Sequence, residues 1–212
     1  MGQETVKAVS EFIYLGCAIK SGDSSHSDIL RRTALAGSVM NQLHSVWNRR
    51  SLSLELKFKL YKALVLPVLL YASETWVYTK ADACRAFKLF ISSINEEFLA
   101  SKWYDRVTNT EVMARSHLPT VHDMICTRRL GLYGHVVRMP PAVPANAALN
   151  LLSDVSSELG PPLGWSRPRG RPPRIWTDLI ENDMGLPLVD TYAVALDRDS
   201  WRAETPRLQE DT

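Results

Sequence analysis

Apolar residues recur along this chain with two different periods, and the change of period divides it. "EFIYLGCAI" (Glu11–Ile19) is dense in β-branched and aromatic residues and runs into the turn-forming "KSGDSS". That composition predicts one short strand or half of a hairpin, whose sheet neighbours are not evident in the rest of the chain. From Ser27 the period becomes helical. Ile29, Ala36, Val39, Met40, Leu43, Val46 and Trp47 fall near three-and-four spacing, with Ser27 as N-cap and Asp28 in the first turn. After "NRRS", a second helix is expected to start behind Ser53 and to bury Leu54, Phe58, Tyr61, Leu64, Val65, Val68 and Leu69, with Pro67 kinking or interrupting it. A third is expected from about Asp82 to Leu99, on the stripe Phe87, Phe90, Ile91, Ile94 and Phe98. Thr108-Asn109-Thr110 and Thr120 are cap-like and should open two short helices, the second running to about Met139.

Beyond that point proline takes over. "PPAVPANAALNLL" reads as a connection with one helical turn. "SELGPPLGWSRPRGRPPR" holds five Pro, three Gly and four Arg in eighteen residues and should run extended. Two short amphipathic helices are expected after it, in "PRIWTDLIENDM" and "DTYAVALDRDSWRAE", with Trp176, Leu179, Ile180, Tyr192, Ala195 and Trp201 facing inward. The expected fold is mainly α: a strand or hairpin over 1–24, a helical bundle over 25–139, a Pro/Gly/Arg-rich linker over 140–174 and a C-terminal helical segment over 175–212.

Charge sharpens this picture. The net charge of +2 hides an uneven distribution: residues 31–138 carry sixteen Lys and Arg against eight Asp and Glu, while both flanks are net acidic. A basic middle favours a polyanionic partner, although solvated helix faces would have the same composition. Three widely spaced cysteines, Cys17, Cys84 and Cys126, form neither a disulfide framework nor a zinc motif. They fit a reducing, intracellular compartment, cytoplasm or nucleus. The N-terminal residues lack a signal-peptide core, and the run Ala63–Ala72 is far below the roughly 20 apolar residues that span a bilayer. No membrane partner is expected.

No catalytic site can be assembled from these residues. Glu96 and Glu97 are adjacent and point about 100° apart on a helix, so they do not readily share a metal. Asp178 and Glu181 share a face, but such pairs also serve as helix-surface charge, as do Asp197 and Asp199. No nucleophile elbow or phosphate-cradling loop is present, and His117 and His122 are separated by Pro119. No cofactor, metal or catalytic residue is assigned.

Six stretches in order resemble the region that follows the polymerase core in non-LTR (LINE-type, jockey/RTE-like) retrotransposon reverse transcriptases. "FIYLGCAI" resembles the family's F-x-YLG segment, "LVLPVLLYASETW" its P-x-LLYG-x-E-x-W helix, and "WYDRVTNTEVMAR" its W-x-D-R-x-T-N-x-E-V stretch. "GHVVRMP", "GRPPRIWTD" and "ALDRDSWR" resemble its GH-x-x-RM, GRP-x-x-W-x-D and A-x-DR-x-x-W signatures. The resemblance implies a palm-edge strand followed by a helical thumb and post-thumb region. Its partners would be an upstream palm and fingers, and a template–primer duplex or RNA–DNA hybrid gripped through its phosphates.

The resemblance points to Tyr14, Leu15 and Gly16 near the primer terminus. The basic residues suited to phosphate contact are Arg31, Arg32, Lys57, Lys62, Arg106, Arg128, Arg129 and Arg138, with Arg167, Arg169, Arg171 and Arg174 in the linker. His135 lies either against phosphate or within the helix, beside a glycine that admits close packing. The family's catalytic aspartates would lie upstream of the YLG strand, where no such motif stands, so these residues alone are expected to be catalytically inactive. A helical structural or protein-interaction domain derived from such an element, without nucleic-acid function, is the alternative. The chain departs from the family at Asn95-Glu96-Glu97, where basic residues are usual, and at Gly131 and Leu132, where Arg and Trp tend to precede GH. Ala72 replaces a usual glycine, read from the sequence as a mild change.

Overall fold

The computed structural model describes residues 11–14, 16–20, 25–79, 82, 118–157 and 175–205. The described part is mainly α-helical. It divides into two compact units, one holding residues up to Ala72 and Tyr78–Val121, the other Ser73–Val77 and the residues from His122 on.

The first unit opens with strands β1 (Glu11–Tyr14) and β2 (Cys17–Lys20), paired antiparallel with Tyr14 opposite Cys17 and Glu11 opposite Lys20. Gly16, at φ +77°, takes the left-handed conformation that so short a turn demands. Helix α1 (His26–Gln42) buries Ile29, Ala36 and Met40 of the expected stripe, together with Asp28, Arg32 and Thr33. Ser27 is not its N-cap: the helix begins at His26, and Ser25, in the cap position, makes no side-chain capping bond. A further turn, α2 (His44–Trp47), ends on buried Trp47, whose indole N–H donates to the Met40 carbonyl at 3.0 Å.

Helix α3 (Leu54–Leu64) starts as its sequence specifies, with Ser53 Oγ accepting the Leu56 N–H at 3.3 Å. It stops short of Pro67, and the chain re-enters helix as α4 (Leu66–Leu69) with the proline in its first turn. The buried face is narrower than the expected stripe. Phe58, Tyr61, Val65 and Leu69 are buried as expected, whereas Leu54 and Leu64 are exposed. Ala72 closes the segment at φ +59°, the left-handed region that disfavours a Cβ. Replacing a usual glycine here is therefore not mild, because the backbone conformation is one that glycine alone adopts without strain.

In the second unit, a single 3-10 turn (Ser73–Thr75) precedes buried Trp76. Helix α5 (Val121–Val137) supplies the spine of this unit from His122 on. "PPAVPANAALNLL" is more than a connection. Pro144 opens a helix, α6 (Pro144–Ser157), at the position where its missing N–H is harmless. Helices α7 (Trp176–Met184), α8 (Leu188–Leu196) and α9 (Arg198–Glu204) complete the unit. The last two occupy the stretch read from sequence as one helix. Asp197 divides them, extended at ψ 123°, with its carboxylate accepting the Ser200 N–H at 2.8 Å. The expected third helix over 82–99 and the start at Thr108–Thr110 lie outside the described residues.

Candidate nucleic-acid interface

The basic residues singled out in the sequence have unlike surroundings. In the first unit, Arg31 Nη1 donates to the Gly16 carbonyl at 2.5 Å, and Arg32 donates to the same oxygen. Arg32 is buried, flanked by Asp28 at 3.9 Å and set 4.2 Å from the Tyr71 ring centroid. Its charge is met inside the unit, and it braces the hairpin turn against α1. Lys57 donates to the Trp47 carbonyl at the end of α2, and Lys62 is exposed on α3. Gly16 serves as acceptor for both arginines, and Tyr14 ends β1. Leu15, Arg106, Arg167, Arg169, Arg171 and Arg174 lie outside the described residues.

Helix α5 of the second unit sorts its residues by face. Arg129 is wholly buried and ion-paired with Asp183 of α7, an internal position that no phosphate can reach. Arg128 and His135 are exposed and seven residues apart, so they share a face. Arg138, half-buried at the end of the helix, donates from Nη1 to the Ala195 carbonyl at 2.7 Å. The α5 end is closed from the other side by Asn146, whose Nδ2 donates to the Val136 and Val137 carbonyls, both at 3.0 Å. Asn146 is thus a C-terminal cap supplied by another helix.

Between these faces lies the core of the unit: Cys126, Leu130, Tyr133, Val137, Leu149, Ile180, Leu188, Ala195 and Trp201. Gly134 belongs to its wall, because a Cβ placed there would stand 2.4 Å from Trp201 Nε1. Tyr133 lies 5.7 Å from the Trp201 ring and 6.1 Å from that of Trp176. The Trp176 indole N–H donates to the Glu74 carbonyl at 2.8 Å. The core also tunes its cysteine: burial, with Asp183 adding to it, pushes the Cys126 thiol up to about 12.

The three carboxylates of α7 each serve a different structural partner. Asp178 accepts the Ile175 N–H at 3.2 Å, Glu181 accepts the Leu188 N–H at 2.8 Å, and Asp183 is held by Arg129. Among the described residues no group of three His, Cys, Asp or Glu is placed to hold a metal ion. Nor is any described helix long and apolar enough to cross a membrane.

Asn146 and Asp183 are not recognisable as partners of α5 from sequence, since neither spacing nor composition marks a long-range cap or ion pair. Arg198 and Arg202, outside the basic residues singled out from sequence, share one helical face through their four-residue spacing.

The described chain is thus a mainly helical protein whose second unit gathers basic side chains around a tryptophan-rich core. It is a distant homologue of an uncharacterised transposon-derived protein of Caenorhabditis elegans, 25% identical over 205 residues that cover 92% of this chain and 70% of that protein. No protein-family model matches the sequence. No solved structure matches it either.

Proposed function

We propose that this chain is the thumb and post-thumb segment of a non-LTR retrotransposon reverse transcriptase, a helical element that helps hold a template–primer duplex through its phosphates. One observation carries the reading. Residues of four separate resembling stretches meet in the second unit: Gly134 lies against Trp201, Arg138 holds the Ala195 carbonyl, and Trp176 holds the Glu74 carbonyl. Motifs that are individually weak thereby acquire one common physical reason. Similarity to a transposon-derived protein along most of the chain supports the same origin.

In this reading Lys62, Arg128, His135 and Arg138 face the nucleic acid, while Arg31, Arg32, Lys57 and Arg129 hold the fold that presents them. Basic residues of this kind supply affinity without reading sequence, so binding should be indifferent to base order. The upstream palm would supply the catalytic aspartates, and no polymerisation chemistry is assigned to these residues.

The internal use of Arg32, Lys57 and Arg129 favours a second reading, a helical interaction domain that has kept the fold without the nucleic acid. Salt dependence separates the two. Phosphate contact predicts binding to a labelled RNA–DNA hybrid that weakens steeply with salt, by roughly 0.9 in log–log slope per phosphate neutralised. A flat slope, unchanged by Arg128→Gln and Arg138→Gln, would overturn the nucleic-acid reading and leave the interaction domain.

A further inference from the structure

Helix α9 carries two exposed arginines, Arg198 and Arg202. Four residues apart, they lie on one helical face, separated by about 6 Å along the axis. On that helix they stand to one side of the inward-facing Trp201, with Glu204 to the other side and Asp199 nearly opposite the tryptophan. Trp201 is seated on Gly134, which sets α9 against the C-terminal part of α5. One turn beyond Gly134, Arg138 reaches the Ala195 carbonyl at 2.7 Å, and this fixes its guanidinium beside the junction of α8 and α9. The carboxylate at that junction, Asp197, is turned to its own helix, accepting the Ser200 N–H at 2.8 Å and hydroxyl at 2.6 Å.

Three guanidiniums therefore gather on one edge of the second unit. Partial burial lowers the Arg138 pKa, and the positive fields of Arg198 and Arg202 lower it further, with Asp197 pulling the other way. Like charges brought together in this way repel one another, and a bound anion would relieve that repulsion. A guanidinium matches a phosphate group in both charge and hydrogen-bond geometry.

We propose that Arg198 and Arg202, beside Arg138, form a phosphate-contact site for the backbone of a nucleic-acid duplex, extending the basic face that Arg128 and His135 begin on α5. The proposal rests on the nucleic-acid reading above and adds two residues and a second helix to it. Because α9 is fixed through Trp201, the site belongs to the folded unit and not to a flexible basic tail.

The test uses the full chain and a fluorescently labelled RNA–DNA hybrid, with affinity measured between about 50 and 200 mM salt. Arg198→Gln with Arg202→Gln should lower the salt slope by about two phosphates, so that affinity falls roughly tenfold less across that range than for the unaltered chain. The Lys double variant, which keeps the charges, should restore the slope. Melting temperature and helical circular dichroism should be unchanged. If the double Gln variant destabilises the unit, each single variant should still show about half the effect. Steep binding by the unaltered chain with no change in the Gln variants would overturn this site and leave the general reading standing. Failure of the unaltered chain to bind the hybrid at low salt would remove both.

Discussion

Gly134 and Trp201 form a contact that leaves no room for a side chain on the helix: a Cβ on Gly134 would stand 2.4 Å from Nε1 and 2.8 Å from Cδ1 of the indole. The neighbouring Tyr133 ring lies 5.7 Å from Trp201, so α5 offers the tryptophan an aromatic wall and, next to it, bare backbone. The glycine of the GH stretch and the tryptophan of the DR-x-x-W stretch are two halves of one joint.

That joint predicts opposite effects for two glycines three residues apart on the same helix. Gly134→Ala places a methyl group against a rigid, buried ring, and should destabilise the chain by about 1–3 kcal/mol, as overpacked cores do. Gly131→Ala meets nothing within 4 Å and should stabilise it by about 0.4–1 kcal/mol, through helix propensity and a less flexible unfolded state. Urea unfolding of the two variants checks this. Equal and small shifts would mean that the indole moves aside without cost. Adding Trp201→Leu to Gly134→Ala should recover part of the loss, a coupling that a double-mutant cycle measures.

Where local chemistry decides structure, the sequence was legible. Ser53 capped its helix, that helix broke just before Pro67, and Leu179, Ile180, Ala195 and Trp201 faced inward. What stayed hidden depends on contacts distant in sequence. Arg129 and Arg128 look alike in "RRLG", yet the helix turns one into the core beside Asp183 and leaves the other exposed. The stretch around Pro144 read as a connection because proline stops helices in their interior, whereas in a first position it starts one. The candidate site divided in the same way. Residue type marked the basic side chains, but burial and internal partners determined which of them could face a phosphate.

Ala72 carries a prediction of its own. A left-handed alanine costs roughly 1–2 kcal/mol relative to the usual helical conformation, and glycine removes that cost while adding flexibility to the unfolded chain. The balance favours glycine, so Ala72→Gly should raise stability by about 0.5–1 kcal/mol. A lower denaturation midpoint for this variant would show that the backbone at this position relaxes in solution.

Arg129 should behave unlike any phosphate-binding arginine. Removing it leaves Asp183 buried without its ion pair, which is expected to cost about 3–5 kcal/mol. Arg129→Ala should therefore lower the melting temperature sharply, whereas Arg128→Ala should change it little. Among molecules that remain folded, the salt slope of hybrid binding should be the same with Arg129→Ala as without it. A variant that melts normally and binds with a reduced slope would place this guanidinium on the surface after all.

The first unit should have an acid-sensitive contact at Asp82. Burial pushes its carboxyl up, but the Thr79 hydroxyl and N–H, at 2.7 and 3.0 Å, and His26 Nδ1, at 2.5 Å, outweigh burial and hold the net value below the ordinary 3.8. A carboxyl whose folded value lies below its unfolded one stabilises the fold fully above the unfolded value. That contribution fades as pH falls through the folded value. Asp82→Asn replaces an acceptor oxygen with a donor facing these same partners. Near neutral pH it should cost about 1–3 kcal/mol, as buried hydrogen bonds to a charged group do when broken. The gap between the two proteins should narrow as pH drops from about 5 to about 3, because the unaltered chain is then losing a contribution the variant never had. Chemical denaturation across that range measures it directly, and a gap that stays constant would show that the ionised carboxylate adds nothing to the stability of the unit.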